Sequence, residues 1–217
     1  MKPDGVRPPP YRLEAIQVAA WATWSGALLV TGLTAYFVFT LLKRLDPTLP
    51  EFAAYGGEHW RLLGGYVAER LFIGADVVGF LAICVGGGAF ALACWRGFPH
   101  PRSWTAAIRA LLVMAMVGIM TYRFAVLDPA MQTDLAGYRQ AAALGDTQNA
   151  IELQQAYDVH HKTASNVMVT SLLLSLGALG FTLATTRRVM TGAAGDRTPA
   201  PRPSRLQEPE LARGLRR

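Results

Sequence analysis

Residues 71–95 read LFIGADVVGFLAICVGGGAFALACW, with Asp76 as the single charged side chain. A bilayer core about 30 Å thick takes roughly 20 mostly apolar helical residues to cross. This stretch is long enough. Its Gly86-Gly87-Gly88 run lies mid-span with no strand before it and no lysine after it, so it is no phosphate loop. Working outward, three more stretches qualify: residues 18–42, residues 105–127 with Arg109 and Arg123 near the two ends, and residues 163–185. The first exceeds the roughly 7–15-residue core of a signal peptide and no clear cleavage site follows it, so it reads as retained. The expected fold is an all-α, integral membrane four-helix bundle.

Composition agrees. Of 217 residues, 52% are hydrophobic and 17% charged, against about 25% charged in an average soluble domain. Two cysteines exclude a disulfide scaffold; Cys84 and Cys94 sit ten residues apart on one helix, too far to bridge. The net charge is +6. Its placement matters more than its size. With the N-terminus cytoplasmic, fourteen Lys and Arg fall inside and seven outside, while acidic residues split five inside and ten outside. That bias is a topology signal for an N-in, C-in protein, and it removes the nucleic-acid reading. Trp21, Trp24, Trp95 and Trp104 fall near the cytoplasmic ends of three spans, as an interfacial aromatic belt would.

The domain plan is a Pro-rich cytoplasmic arm over 1–17, a membrane domain over 18–185 and an Arg/Pro-rich tail over 186–217. The loop over 43–70 carries two prolines and two Gly-Gly pairs, and its middle mixes aromatics and charges suited to an interface. Between 128 and 162, Asp128-Pro129 has the pattern of a helix start, with Asp128 as N-cap. Met131, Leu135, Tyr138 and Ala142 recur near helical spacing. Gly145 closes that helix and Asp146 caps the next. Nothing breaks the pattern from 147 to 185, so the fourth span is expected to begin as a helix standing about 20–25 Å outside the bilayer. The tail carries Arg197, Arg202, Arg205, Arg213, Arg216 and Arg217. Alone it buries too little to order itself; anionic headgroups, or an acidic or aromatic surface of a neighbouring subunit, would complement it.

Ionisable groups within spans are functional candidates by default. Asp76, Arg123 and Asn166 share one depth near the outer face if neighbouring spans are antiparallel. An Asp76–Arg123 pair bonded by Asn166 is expected there as a polar clasp, with a transport or proton site as the alternative. His160, Thr163 and Asn166 follow one helix face at i, i+3, i+6. His160 and His161 point about 100° apart; with His59, Glu58 and Asp158 they form an outer cluster of N/O donors open to zinc or copper, or to haem or chlorophyll. No two of these histidines stand at i, i+4, and a hydrogen-bonding interfacial role is the favoured reading. Met116 and Met120 share a face and suit core packing. Ala75/Gly79, Ala82/Gly86, Gly87/Ala91 and Ser171/Ser175 are small-xxx-small pairs that permit close helix approach, within the bundle or to another subunit. The sequence has no Ser/His/Asp set, CxxC, HExxH or nucleotide fingerprint.

Residues 122–180 resemble the family of small four-helix membrane proteins related to human transmembrane protein 205. The likeness rests on Arg123 followed by Leu127-Asp128-Pro129, on Tyr138 in a charged helix, and on His160-x-x-Thr163-x-x-Asn166 opening a glycine-bearing last span. Bacterial members look like His-x-x-Ser-x-x-Asn, so Thr163 departs mildly, as do the long first outer loop and the tail. The resemblance implies a four-span fold in a bacterial inner membrane and no settled activity. The expected function is a non-catalytic accessory or scaffold subunit of a larger, respiratory or photosynthetic, membrane complex. It would touch lipids and other subunits through the small-residue faces and the tail. A small transporter or metal-tolerance protein using the polar layer is the alternative, and a haem- or pigment-ligating subunit a further one.

Overall fold

The computed structural model describes residues 10–98 and 103–195. Four long helices make up the body: Pro10–Leu45, His59–Trp95, Trp104–Ala143 and Thr147–Gly195. A single 3-10 turn, Pro50–Phe52, interrupts the first connection. All four helices carry a window long and apolar enough to cross a membrane. The shortest has 36 residues, about 54 Å at 1.5 Å per residue, so each outruns a bilayer core of about 30 Å. The first helix packs along the second and the fourth, and the third packs along the fourth. The bundle thus has a terminal end, near Pro10 and residue 187, and a far end, near the connections at 46–58 and 144–146.

The helices start earlier than the apolar runs suggest. Pro10 opens the first helix, a position where the missing N–H costs nothing. Leu13, Glu14 and Gln17 are buried on that extension. The second helix begins at His59, twelve residues before its apolar run. One of the two glycine pairs expected to mark a loop, Gly64-Gly65, is instead a helical contact: a Cβ on Gly64 would lie 2.5 Å from the Phe39 ring. The third span and the outer helix are one continuous helix. Asp128 has helical φ and ψ of −65° and −43° and caps nothing. The turn before Pro129 widens to a π-helix over Arg123–Leu127. A proline in a helix deletes an N–H and clashes with the carbonyl four residues back, and a wider turn accommodates both. A second π-turn, Ile83–Gly87, lies within the second helix.

The helix end at 143–146 follows its sequence signals. Gly145 has φ +74°. Its N–H donates to Ala142 O at 3.1 Å, and Asp146 N–H donates to Ala141 O at 3.0 Å. This is the paired closure that favours glycine. Asp146 Oδ1 then accepts from Asn149 N–H at 3.2 Å and caps the fourth helix.

Two cores result. The central one gathers Trp21, Trp24, Leu28, Ala82, Met116, Met120 and Ala178. Trp21 and Trp24 are each 1% exposed, which corrects their expected place in an interfacial belt; Trp95 and Trp104 are 85% and 79% exposed and suit one. The small residues of the second helix explain the difference. A Cβ on Gly79 would meet Trp24 Nε1 at 2.7 Å, and one on Gly86 would meet the Trp21 ring at 2.8 Å. Ser175 is buried against Ser25. The Ala75/Gly79, Ala82/Gly86 and Ser171/Ser175 faces expected to dock a neighbouring subunit are therefore spent inside the bundle. The second core, at the far end, gathers Phe52, Tyr55, Leu62, Leu135, Tyr138, Ala142 and Ala150. Leu33, Phe37, Phe80, Leu111 and Leu173 point outward and exposed. An apolar outside around an apolar core is what a lipid-facing bundle presents. The expected arginine clamp from Arg197 to Arg217, and residues 1–9 of the arm, lie outside the described residues.

Candidate functional site

Polar groups tie the four helices at three levels. At the terminal end, Arg109 of the third helix meets Glu14 of the first. Arg109 Nη1 and Nη2 each donate to Glu14 Oε1 at 3.0 Å, and Nη2 reaches Glu14 Oε2 at 3.2 Å. Nη2 also donates to Gln17 Oε1, and Nη1 to Thr185 Oγ1 at 3.1 Å. Thr186 donates to Glu14 Oε2 at 3.3 Å, and the guanidinium lies 5.2 Å from the Phe90 ring centroid. Glu14 is 1% exposed and Arg109 2%. Buried charges this well bonded are strong hydrogen-bonding pairs, and all four helices contribute a side chain. The sequence reading missed this network, because Glu14 was assigned to the arm and Arg109 counted only as a topology charge. The available signal was Glu14 and Gln17 at i, i+3, at the same end of the bundle as Arg109 inside the third span.

At mid-depth, Ser25 and Ser175 share a hydrogen bond of 2.8 Å. Toward the far end, Arg123 Nε lies 2.9 Å from Asp76 Oδ1 and 3.6 Å from Asp128 Oδ1. Its guanidinium is 5.6 Å from the Phe72 ring centroid. The structure thus brings Asp76 and Arg123 together as expected and adds Asp128, a full turn on through the π-helix. Arg123 Nε is buried and has no well-aligned acceptor, so the contact is an ion pair by distance and a poor hydrogen bond by direction. Asn166 does not join it. That residue is exposed on the fourth helix, which corrects the expected three-part clasp. Equal depth along a helix says nothing about which way a side chain turns.

The far-end cluster is built of pairs. Arg139 donates to Glu69 Oε2 from both Nη atoms at 3.1 Å and lies 3.7 Å over the Tyr66 ring. Arg61 donates to Glu58 and, at 3.2 Å, to Asp158. The Arg61 hydrogen bond holds the Glu58 carboxyl below the usual carboxylate range. Tyr55 and Tyr138 hydroxyls are 3.3 Å apart. Burial, then that contact, pushes the Tyr138 phenol up, so it stays protonated.

The histidines divide. His59 is committed on both sides: Nδ1 accepts from Leu49 N–H at 2.9 Å and Nε2 faces Tyr55 O at 3.1 Å. His160 Nδ1 lies 2.7 Å from Asp134 Oδ2. Thr163 donates to Val159 O of its own helix at 3.2 Å. His161 is stacked on Tyr157 at 5.7 Å and edge-on to Phe72 at 6.3 Å, with Nδ1 buried and without a partner. The expected donor cluster of His59, His160, His161, Glu58 and Asp158 is thus dispersed into separate pairs, and among the described residues no three His, Cys, Asp or Glu side chains converge on one point suited to a metal.

Two of the cavities at this end are lined by these groups. One of about 160 Å³ exposes Asp76, Arg123, Asp128 and Glu69. The other, of about 210 Å³, is lined by Phe39, Trp60, Tyr138, Tyr157 and His161 together with Arg61 and Asp158. Both are below the roughly 300–1,000 Å³ of drug-sized ligand sites, so neither holds a tetrapyrrole as it stands. Comparison with protein-family models, curated proteins and solved structures finds no match to this chain.

Proposed function

We propose that the chain is a multi-pass membrane protein with both termini cytoplasmic, a relative of the transmembrane protein 205 family, and that its four-helix body serves as a non-catalytic accessory subunit of a larger membrane assembly. In this reading the far end is the outer, periplasmic end, and the helices beyond residues 127 and 147 stand outside the bilayer. The observation that carries the reading is the cross-tying of the bundle. The charges inside the spans are consumed in internal pairs, Glu14 with Arg109 and Asp76 with Arg123. Between those two levels lies the apolar Trp21, Trp24, Met116 and Met120 core. A body bonded at both ends, with a middle that is apolar apart from the Ser25–Ser175 bond, is suited to hold a shape rather than to conduct a solute. The transporter alternative keeps one favourable observation, the half-open cavity over Asp76 and Arg123.

Since the Ala75/Gly79, Ala82/Gly86 and Ser171/Ser175 faces are used internally, docking falls to the outward apolar faces, including the exposed Ala91 beside half-buried Gly87, and to the arginines of residues 196–217. The test is purification of the full-length chain from its native membrane in mild detergent, followed by native mass measurement. A stoichiometric assembly that loses this subunit when residues 196–217 are deleted is the expected result. A lone monomer refutes the accessory role and promotes the transporter.

A further inference from the structure

We infer that the far-end cavity lined by Phe39, Trp60 and Tyr157 is a binding site for a small organic ammonium ion. This goes beyond the accessory role and does not depend on it. All four helices build the cavity: Phe39 from the first, Trp60 from the second, Tyr138 from the third, Tyr157 and His161 from the fourth. Five rings around 210 Å³ make an aromatic box. Ring faces are the negative part of an aromatic quadrupole and attract cations, and such boxes recognise quaternary and methylated ammonium groups. The protein's own cations already use this chemistry on Trp60. Arg61 lies 5.2 Å and Lys43 6.0 Å from the Trp60 ring centroid. Phe39 takes no protein cation among the described residues, nor does Tyr157, one face of which stacks on His161.

The polar lining selects the same sign. The Arg61 guanidinium that lines the cavity is charge-matched by two carboxylates, Nε on Glu58 and Nη1 on Asp158, which weakens its pull on an incoming anion. Asp158 is half-exposed and spends only Oδ2 on Arg61. A carboxylate has about four lone-pair sites, so Asp158 retains acceptor capacity for an incoming N–H or a charge contact to a quaternary head. Tyr138, held protonated by burial, adds a hydroxyl and no negative charge. The ammonium group belongs either to a soluble amine or to a zwitterionic lipid headgroup, since the cavity opens at the end of an apolar bundle.

The test uses the full-length protein in detergent micelles and titrates benzyltrimethylammonium, its neutral isostere neopentylbenzene and the anion benzoate by calorimetry. Saturable binding of the cation, at least tenfold tighter than either comparator, is the expected result. Asp158→Asn and Phe39→Leu should each weaken the cation at least fivefold, while Trp95→Phe, far from the cavity, leaves it unchanged. Phe39→Leu keeps the test independent of any folding defect from breaking the Arg61 pair. Equal binding of the neutral isostere, preference for benzoate, no saturable binding, or indifference to both cavity variants overturns the assignment. A second arm repeats the titration in nanodiscs. Competition by phosphatidylethanolamine relative to phosphatidylglycerol identifies the headgroup as the source, and undiminished affinity in both identifies a soluble amine.

Discussion

Replacing Glu14 by leucine should be among the most damaging single changes in the bundle. Arg109 makes five hydrogen-bond contacts, three to Glu14 and one each to Gln17 and Thr185. Interhelical hydrogen bonds in membranes average about 0.6 kcal/mol, so the set contributes about 3 kcal/mol. Leaving a buried guanidinium without its carboxylate raises the cost of Glu14→Leu toward 3–5 kcal/mol, the usual range for breaking a buried pair. Arg109→Leu should cost about as much, by stranding Glu14. The double replacement strands neither charge and puts apolar volume into a site next to Phe90. It should therefore cost about 1–3 kcal/mol less than the two singles together. The assay is reversible unfolding in mixed micelles by denaturing detergent, read by tryptophan fluorescence for the four-protein cycle. Asp76→Leu with Arg123→Leu, run alongside, should show a smaller coupling, because Arg123 Nε lacks a directed acceptor there. Additive costs at Glu14 and Arg109, or a larger coupling at the Asp76 pair, refute the reasoning.

Glycine substitutions should sort by the space around them. Gly79→Val and Gly86→Val drive side-chain atoms into Trp24 and Trp21 and should each cost about 1–3 kcal/mol by overpacking, whereas Gly88→Ala, with nothing within 4 Å, should be neutral or stabilising in the same unfolding assay; equal costs would contradict the packing. Gly145→Ala should lose about 1–2 kcal/mol from the left-handed conformation alone, plus a clash with Ala54 Cβ at 2.8 Å, seen as raised protease cleavage between the third and fourth helices. Reporter fusions after Trp95 and after Thr185 should both read cytoplasmic, and a periplasmic signal from either reverses the proposed topology. The Arg61–Glu58 and Arg61–Asp158 pairs are about a third to a half exposed, so Arg61→Met should cost under about 1 kcal/mol and less still at high salt.

The four apolar runs are legible because a 20-residue hydrophobic stretch is a local property, readable without a partner. The same holds for Gly145 and Asp146, whose cap geometry involves only their own neighbours. Glu14 is a different kind of fact. Its partner lies 95 positions away, and nothing local distinguishes a carboxylate that will meet an arginine from one that will meet water. Trp21 fails for the same reason: a belt tryptophan and a core tryptophan look alike until Gly86 is known to face it. Pro129 misleads because a proline after aspartate signals a helix start far more often than a π-turn. The missed pair also bears on orientation. Arg109 and Arg123 are each neutralised by a buried carboxylate, so neither should weigh in the charge bias that orients a membrane protein. Setting both aside leaves thirteen Lys and Arg on the proposed cytoplasmic side and six on the other. The ratio steepens, and eight of the thirteen lie beyond residue 186. The orientation argument therefore rests on the residues that follow the fourth helix's apolar run, and deleting 196–217 should weaken the topology bias as well as the docking.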